Sequence, residues 1–273
     1  MLLIRHGRTR AEIKACEENP KTHTAAKPGI SGDLANTFRR HANRQRFWEL
    51  DFSRGIAVLM MVTFHFAFDL AFFSIYRVPL GSLPWLVFAR ATAALFIVLA
   101  GVSLTISSSR GRKHKYYLKR GLSILSLGLL ITIATYLAFP QWAIWFGILH
   151  FFGVSTPLGY LALRLRSRYL LVLAALLLLS GIYLQTQSFQ FPWLLWLGFQ
   201  PTEFYTFDYF PLLPWFSLLL FGIVAGRKAY PSGKRAHAIR EFRNPISFIG
   251  RRSLLIYFVH QPILIALILL LLK

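Results

Sequence analysis

A histidine and an aspartate lie four residues apart in the stretch FHFAFDL, residues 64–70, whose other residues are apolar. In a helix this spacing places His65 and Asp69 on one face, one turn apart. Histidine titrates near neutral pH, so it can take a proton from an attacking hydroxyl or amine and return it to a leaving thiolate. A carboxylate one turn away would orient the ring. The spacing therefore indicates general acid–base chemistry.

Two further histidines lie in apolar stretches, His150 in GILHFFGVS and His260 in SLLIYFVHQPIL. A charge near the centre of a bilayer costs at least ~2.5–3.5 kcal/mol, so ionisable groups at that depth face the bundle interior and have a partner or a task. Each histidine alone is explained by a hydrogen bond to a backbone carbonyl. Together with His65 they outline a polar interior that conveys a proton or holds a reacting group. Arg90 is expected at the depth of Asp69, where the two would form an ion pair.

These residues must be positioned by membrane-spanning helices. The 273 residues are 55% hydrophobic and 15% charged, with a mean hydropathy of +0.50, which suits a polytopic membrane protein. Apolar runs of spanning length predict an all-α bundle of about seven transmembrane helices. The runs are residues 52–75, 83–106, 120–139, 143–163, 169–185, 211–226 and 253–271.

The basic residues fall on one side of the predicted bundle. Lys and Arg number 11 in residues 1–54, 6 in 107–120, 3 in 164–168 and 8 in 227–252. The positive-inside rule then places the N-terminus in the cytoplasm and predicts a multi-pass protein of the plasma membrane. The net charge of +21 is thus explained by the lipid bilayer as partner, and no nucleic acid is expected.

Residues 1–45 are basic and poor in large apolar residues, which predicts a disordered cytoplasmic tail ahead of a transmembrane domain at 46–273. The single cysteine, Cys16, lies in that tail, so a thiolate metal site is not available and no metal is expected. The sequence has no Walker or GxGxxG loop, which disfavours nucleotide hydrolysis and dinucleotide redox chemistry.

Two long basic loops, residues 107–120 and 227–252, allow two interpretations. They can set the topology and attract anionic lipids, and they can bind the phosphates of a cytoplasmic cofactor through guanidinium and ammonium groups. Both can hold at once. The loop side chains expected to bind such a cofactor are Arg110, Arg112, Lys113, Arg251 and Arg252.

The long outer segment 186–210 carries Glu203 and Asp208 and no basic residue, and six of the seven tryptophans lie at or near the predicted outer boundary. Interfacial anchoring explains most of these tryptophans. The same cluster is what a sugar site needs, since aromatic faces pack on sugar rings while carboxylates accept hydrogen bonds from hydroxyls. The residues expected at a substrate site are Arg90, His150, Glu203, Asp208 and Trp215.

Four stretches resemble the family of heparan-alpha-glucosaminide N-acetyltransferase catalytic-domain proteins, which belong to a broader group of transmembrane acyltransferases. The resemblance covers roughly residues 46–271. It implies that an acetyl group passes from cytoplasmic acetyl-CoA through the membrane domain to an amino sugar on the far side. The four stretches are ELDFSRGIAVLMMVTFHFAFDL (49–70), GILHFFGVS (147–155), TFDYFPLLPWFSLLLFGIVAGR (206–227) and GRRSLLIYFVHQPIL (250–264).

The resemblance also implies roles for particular residues. Arg54 belongs to a D-x-x-R-G motif at the start of the first span, on the cofactor side, and His260 matches a histidine of the last span. Lysosomal eukaryotic members carry a catalytic histidine in the loop after the first span, whereas the loop YRVPLGSLPW (76–85) contains none. Bacterial and archaeal members show the His and Asp of FHFAFDL, so His65 is the candidate to replace it.

We therefore predict a membrane acyltransferase with His65, Asp69 and His260 as catalytic residues and acetyl-CoA as co-substrate. The acyl acceptor is expected to be an amine or hydroxyl of an extracytoplasmic sugar or glycan. The alternative function is a proton-coupled transporter of a small polar solute, because buried histidine and aspartate are equally natural there. The chain could also form a homo-oligomer.

Overall fold

The structure is a computed structural model, and it describes residues 47–236 and 244–271. Within those residues the chain forms helices joined by turns and contains no strand, which confirms the expected all-α fold. The tail predicted at 1–45 lies outside the described residues. The helices are α1 (Trp48–Phe72), α2 (Leu83–Ser109), α3 (His114–Ala138), α4 (Ile148–Ala162), α5 (Ser167–Leu184), α6 (Leu212–Ala229), α7 (Pro245–Arg251) and α8 (Ser253–Leu271).

Six of the described helices, α1, α2, α3, α5, α6 and α8, are long and apolar enough to cross a membrane. Helix α4 has only 15 residues, fewer than the about 20 that span a hydrocarbon core. The apolar run 143–163 predicted a full span, but its first residues pair with a loop instead. Phe146 bridges Tyr209, and Gly147 is extended. The expected count of about seven is thus close.

Helices α2 and α6 pack with their backbones in contact. A Cβ atom added at Gly101 would overlap the carbonyl oxygen of Leu219, and one added at Gly222 would overlap that of Val98. Small residues at such a crossing let two helices approach closely, and the close packing stabilises their association inside a membrane. Gly101 and Gly222 therefore allow the backbones of α2 and α6 to come into contact.

The short helix α7 holds α8 beside α1. A Cβ atom added at Gly55 would overlap the carbonyl oxygen of Ile246, and one added at Gly250 would overlap that of Asp51. Helices α1 and α7 therefore touch backbone to backbone. Since α8 begins two residues after α7 ends, this contact fixes where α8 starts relative to α1.

Candidate active site

His65 of α1 and His260 of α8 meet edge to face, with ring centroids 4.8 Å apart. Each ring has its Nδ1 at a backbone carbonyl oxygen of its own helix, 2.8 Å from Met61 and 2.7 Å from Tyr257. A carbonyl oxygen only accepts hydrogen bonds, so in the neutral rings the proton is on Nδ1. Both Nε2 atoms of this histidine pair therefore carry a lone pair, the form that a general base needs.

Asp69 lies one turn beyond His65 and is buried, with 2% of its surface exposed. The side-chain amide of Gln261 donates to Asp69 Oδ1 at 2.6 Å. Asp69, Gln261 and the adjacent His260 each have one buried polar atom with no hydrogen-bond partner among the described residues, namely Asp69 Oδ2, Gln261 Oε1 and His260 Nε2. All three are hydrogen-bond acceptors, so this site can receive donors from a substrate.

The expected ion pair between Asp69 and Arg90 is wrong. Arg90 is exposed on α2, and in the described part of the chain no salt bridge joins it to Asp69. The neutral amide of Gln261 occupies the position next to Asp69 that a cation was expected to fill. The substrate role expected for Arg90 stays a prediction, and Arg90 has no described contact with the histidine pair.

His150 is buried at the start of α4, and both of its ring nitrogens are bonded. Its Nδ1 accepts from the Gly147 N–H at 3.3 Å, and its Nε2 lies 3.1 Å from Thr132 Oγ1. The Thr132 hydroxyl donates to the Ile144 carbonyl at 2.6 Å, so it receives the Nε2 proton of His150. These bonds tie α3 to α4. No described hydrogen bond or ring contact joins His150 to the histidine pair, and its substrate role stays a prediction.

An aromatic cluster joins the segment 186–210 to α1. Phe207 contacts Phe68 and Phe72, with ring centroids 6.1 and 5.6 Å away, and stacks on Trp142 at 5.9 Å. Phe68 directly precedes Asp69 in the chain. The cluster therefore places the residues next to Phe207 beside the part of α1 that carries the site.

Asp208 is one of those residues. Its Oδ2 accepts from the Ile148 N–H at 2.9 Å, in the first turn of α4, where the helix dipole favours negative charge. Asp208 also lies within electrostatic range of Tyr257, whose ring centroid is 5.8 Å from that of His260. Asp208, in the segment 186–210, is thus within electrostatic range of a tyrosine that lies beside His260.

The other two residues expected near the substrate have no described bond to Asp208. Glu203 is exposed in a turn, and Trp215 packs on Phe210 with ring centroids 4.8 Å apart. Within the described residues no group of three or more His, Cys, Asp or Glu side chains could hold a metal ion.

Sequence analysis missed Gln261 and Tyr257, which flank His260 in the stretch YFVHQP. The pattern of charged residues and histidines does not identify them, although the sequence contains a signal for each. An amide in an apolar run costs free energy unless it is hydrogen-bonded, so Gln261 requires a partner. Tyr257 lies three residues before His260, which places the two on one helical face.

The Asp208 carboxyl predicts a pH dependence of stability. Burial raises its pKa to about 6 from an ordinary value of 3.8, and the Ile148 N–H opposes this rise. A carboxyl with a raised pKa stabilises the fold in its protonated form, so stability falls as the pH rises from about 4 to about 6. Asp208→Asn keeps an oxygen for Ile148 and should remove this fall.

We expect Asp208→Asn to be more stable than the parent above pH ~6. The gain is at most about 3 kcal/mol, since one pKa unit corresponds to about 1.4 kcal/mol. Thermal unfolding in detergent at about pH 4.5, 5.5 and 7 measures it. If the melting temperatures of the two proteins change with pH in the same way, the role given to Asp208 is contradicted.

The basic residues expected to bind a cofactor lie where α1 begins and α2 ends, or near the ends of α3 and α7. Arg54 is tied to the protein, since it donates to Asp51 Oδ1 at 2.9 Å and to the Ser103 hydroxyl of α2. The guanidinium carbons of the others lie over aromatic rings: Arg110 is 5.8 Å from the Phe47 centroid, Arg112 is 4.1 Å from Tyr116, and Arg251 and Arg252 are 5.8 and 4.6 Å from Phe248. Lys113 is exposed.

A salt bridge that the sequence analysis did not anticipate lies at the same end of the bundle. Arg235 donates to both carboxylate oxygens of Glu49, at 2.9 and 2.7 Å, and the Tyr230 hydroxyl donates to Glu49 at 2.9 Å. Arg235 also lies over the Phe47 ring, 5.3 Å from its centroid, as Arg110 does. Two guanidinium groups therefore converge on Phe47 at the start of α1.

Comparison with known proteins shows the family of the chain. The model of one family, described as heparan-alpha-glucosaminide N-acetyltransferase, catalytic, matches residues 46–262, which is well over half of the chain and includes every residue of the histidine site. None of the curated proteins and none of the solved structures matches the chain. The chain therefore belongs to the family of the heparan-alpha-glucosaminide N-acetyltransferase catalytic domain, and its family and its six apolar helices together make it a membrane acetyltransferase.

Proposed function

We propose that the protein transfers an acetyl group from cytoplasmic acetyl-CoA to an amine or hydroxyl of an extracytoplasmic sugar or glycan, and that it acts in the plasma membrane with its N-terminus in the cytoplasm. The observation that carries the proposal is the histidine pair beside Asp69. Two Nε2 lone pairs and a carboxylate lie together between two apolar helices. Such groups are rare at membrane depth unless they serve a function.

The acetyl-CoA phosphates would bind at the end of the bundle where α1 begins. Arg110 lies there over Phe47, and Arg112 and Lys113 lie between α2 and α3. Arginine and lysine are the usual partners of phosphate groups. Arg251 and Arg252, at the end of α7, would add charge from the other side of α1. Arg54 would act mainly by fixing α1 to α2.

The thioester end of acetyl-CoA would then reach along α1 to the histidine pair. His65 lies about 25 Å from the start of α1 at 1.5 Å per residue. Phe47, Arg54 and His65 follow one another along that helix, which supports a path between α1 and its neighbours. The acceptor would enter from the segment that carries Asp208, since Phe207 of that segment packs on Phe68 of α1.

The chemistry uses one proton transfer in each direction. As the amine or hydroxyl of the acceptor attacks the thioester carbonyl carbon, a histidine Nε2 takes its proton. The carbon–sulfur bond then breaks, and the protonated histidine returns that proton to the CoA thiolate. The products are the acetylated acceptor and free CoA. An acceptor that arrives as an ammonium ion first releases one further proton to solvent. Asp69 would stabilise the protonated ring and orient the attacking group.

Acetyl transfer in proteoliposomes tests the proposal. With acetyl-labelled acetyl-CoA on one side and an amino sugar on the other, we expect labelled sugar to form at a rate that depends on the protein. Liposomes without protein give the background. Uptake of a polar solute that follows a pH gradient, without consumption of acetyl-CoA, would support the transporter alternative and refute the proposed transfer.

A further inference from the structure

We propose that Gln261 determines the acceptor specificity of the site. Its amide nitrogen holds Asp69, and its carbonyl oxygen acts with Asp69 Oδ2 and His260 Nε2 to receive the hydrogens of an amino group in preference to a hydroxyl. This inference rests on the proposed acetyl transfer, and it assigns the choice between amine and hydroxyl to a named residue.

The direction of the Gln261 amide follows from its partner. A carboxylate oxygen accepts hydrogen bonds and has none to donate, so the amide presents its NH₂ group to Asp69 Oδ1, at 2.6 Å. The amide oxygen then points away from Asp69, and it is buried without a partner. Asp69 Oδ2 is the second buried acceptor without a partner.

His260 supplies the third acceptor by the same kind of argument. Its Nδ1 proton is given to the carbonyls of Tyr257 and Ile256, at 2.7 and 3.2 Å, so its buried Nε2 has only a lone pair. His260 and Gln261 are consecutive residues, and Asp69 lies directly opposite on α1. Three acceptors without donors therefore belong to one small part of the protein interior.

The number of polar hydrogens that the acyl acceptor carries then decides which group fits best. A hydroxyl brings one hydrogen, a neutral amine two and an ammonium ion three. Each buried acceptor that stays unpaired costs binding free energy, and a site built to bond N–H groups rejects analogues that lack them. An amino group satisfies more of the three atoms than a hydroxyl does, and Gln261 provides one acceptor while fixing another.

The test compares two acceptors that differ only by amine or hydroxyl, glucosamine and glucose, with acetyl-CoA as donor in proteoliposomes. Gln261→Met keeps the length of the side chain and removes its polar atoms. We expect this variant to lower the ratio of kcat/KM for the amine to that for the hydroxyl by roughly tenfold to a hundredfold, the value of one to two hydrogen bonds to a charged or buried group. Most of the change should be in KM for the amine.

Two further variants separate specificity from structure. Gln185→Met makes the same change at an exposed glutamine and should leave the ratio unchanged. Gln261→Glu keeps the side-chain oxygen atom and replaces the NH₂ group by a second oxygen, so it should retain more of the amine preference than Gln261→Met even where total activity falls. This partial rescue is not expected of a glutamine that only fills space.

The outcomes distinguish this inference from the proposed function. If the parent protein acetylates glucosamine but Gln261→Met lowers kcat/KM equally for glucosamine and glucose, Gln261 does not determine specificity and the proposed function stands. The same conclusion follows if the ratio is unchanged in the variant. If the parent protein acetylates neither acceptor nor any other amine, both the proposed function and this inference are refuted.

Discussion

His65→Asn should abolish most acetyl transfer while the protein remains folded. The asparagine amide nitrogen takes the position of Nδ1 and can still donate to the Met61 carbonyl, which His65 approaches at 2.8 Å. What is lost is the Nε2 lone pair. General base catalysis contributes about 10²- to 10⁴-fold, so we expect kcat to fall by a factor in that range, with a change in melting temperature of only a few degrees, since the Met61 bond remains.

The same substitution at His260 is an independent test of the pair. Asparagine at that position can still donate to the Tyr257 carbonyl, which His260 approaches at 2.7 Å. His114→Asn is the matched control, because His114 is exposed at the start of α3 and has no part in the proposed chemistry. Acetyl transfer from labelled acetyl-CoA and thermal unfolding are measured for all three variants. Full turnover in both His65→Asn and His260→Asn would refute a base at either ring.

Sequence reasoning predicted well those features that depend on one helix at a time. The apolar runs gave most of the helices, because a helix must satisfy its backbone within itself in a membrane. His65 and Asp69 share one face of α1 because residues four apart in a helix lie one turn apart. His260 joined them because polar groups in separate spans are driven to the shared interior.

Features that depend on how two helices are rotated against each other were not predictable in this way. Arg90 was placed by depth alone, and depth does not say which face of α2 the side chain occupies. Gln261 stands beside Asp69 because the contact between α1 and α7 sets the position of α8. His150 bonds to Thr132 because α3 and α4 pack together and the connection between them, residues 139–147, brings the start of α4 beside Thr132. Each outcome follows from packing that no single stretch encodes.

The α1–α7 contact also explains why an Arg-Gly pair begins the first span. Arg54 reaches across to Ser103 of α2, while Gly55, the next residue, lies against the Ile246 carbonyl. One position thus fixes α1 to α2 and the adjacent one leaves room for α7. Because α8 follows α7 directly, the start of α1 determines the distance between the rings of the histidine pair, about 25 Å further along the helix at 1.5 Å per residue.

Gly250→Ala should therefore damage both stability and catalysis, although Gly250 is not in the active site. The added methyl group would overlap the carbonyl group of Asp51 and approach the Gly55 backbone nitrogen, at 2.8 Å, and backbone atoms cannot move aside as a flexible side chain does. Overpacking costs about 1–3 kcal/mol and sometimes more, against a gain of about 1 kcal/mol from alanine in a helix. We expect the overpacking cost to lie near the upper end of that range, which leaves a net loss of about 2 kcal/mol.

The matched control is Gly81→Ala, because a methyl group there meets nothing within 4 Å. Thermal unfolding in detergent should show a clear drop for Gly250→Ala and little change for Gly81→Ala. Acetyl transfer should fall at least about tenfold in Gly250→Ala, since a misplacement of about 1 Å between reacting groups can cost a hundredfold in rate. If Gly250→Ala loses stability but keeps its turnover number, α8 is positioned by its own contacts with α1 and not by α7. If Gly250→Ala and Gly81→Ala are equally stable, the backbone contact between α1 and α7 is itself contradicted.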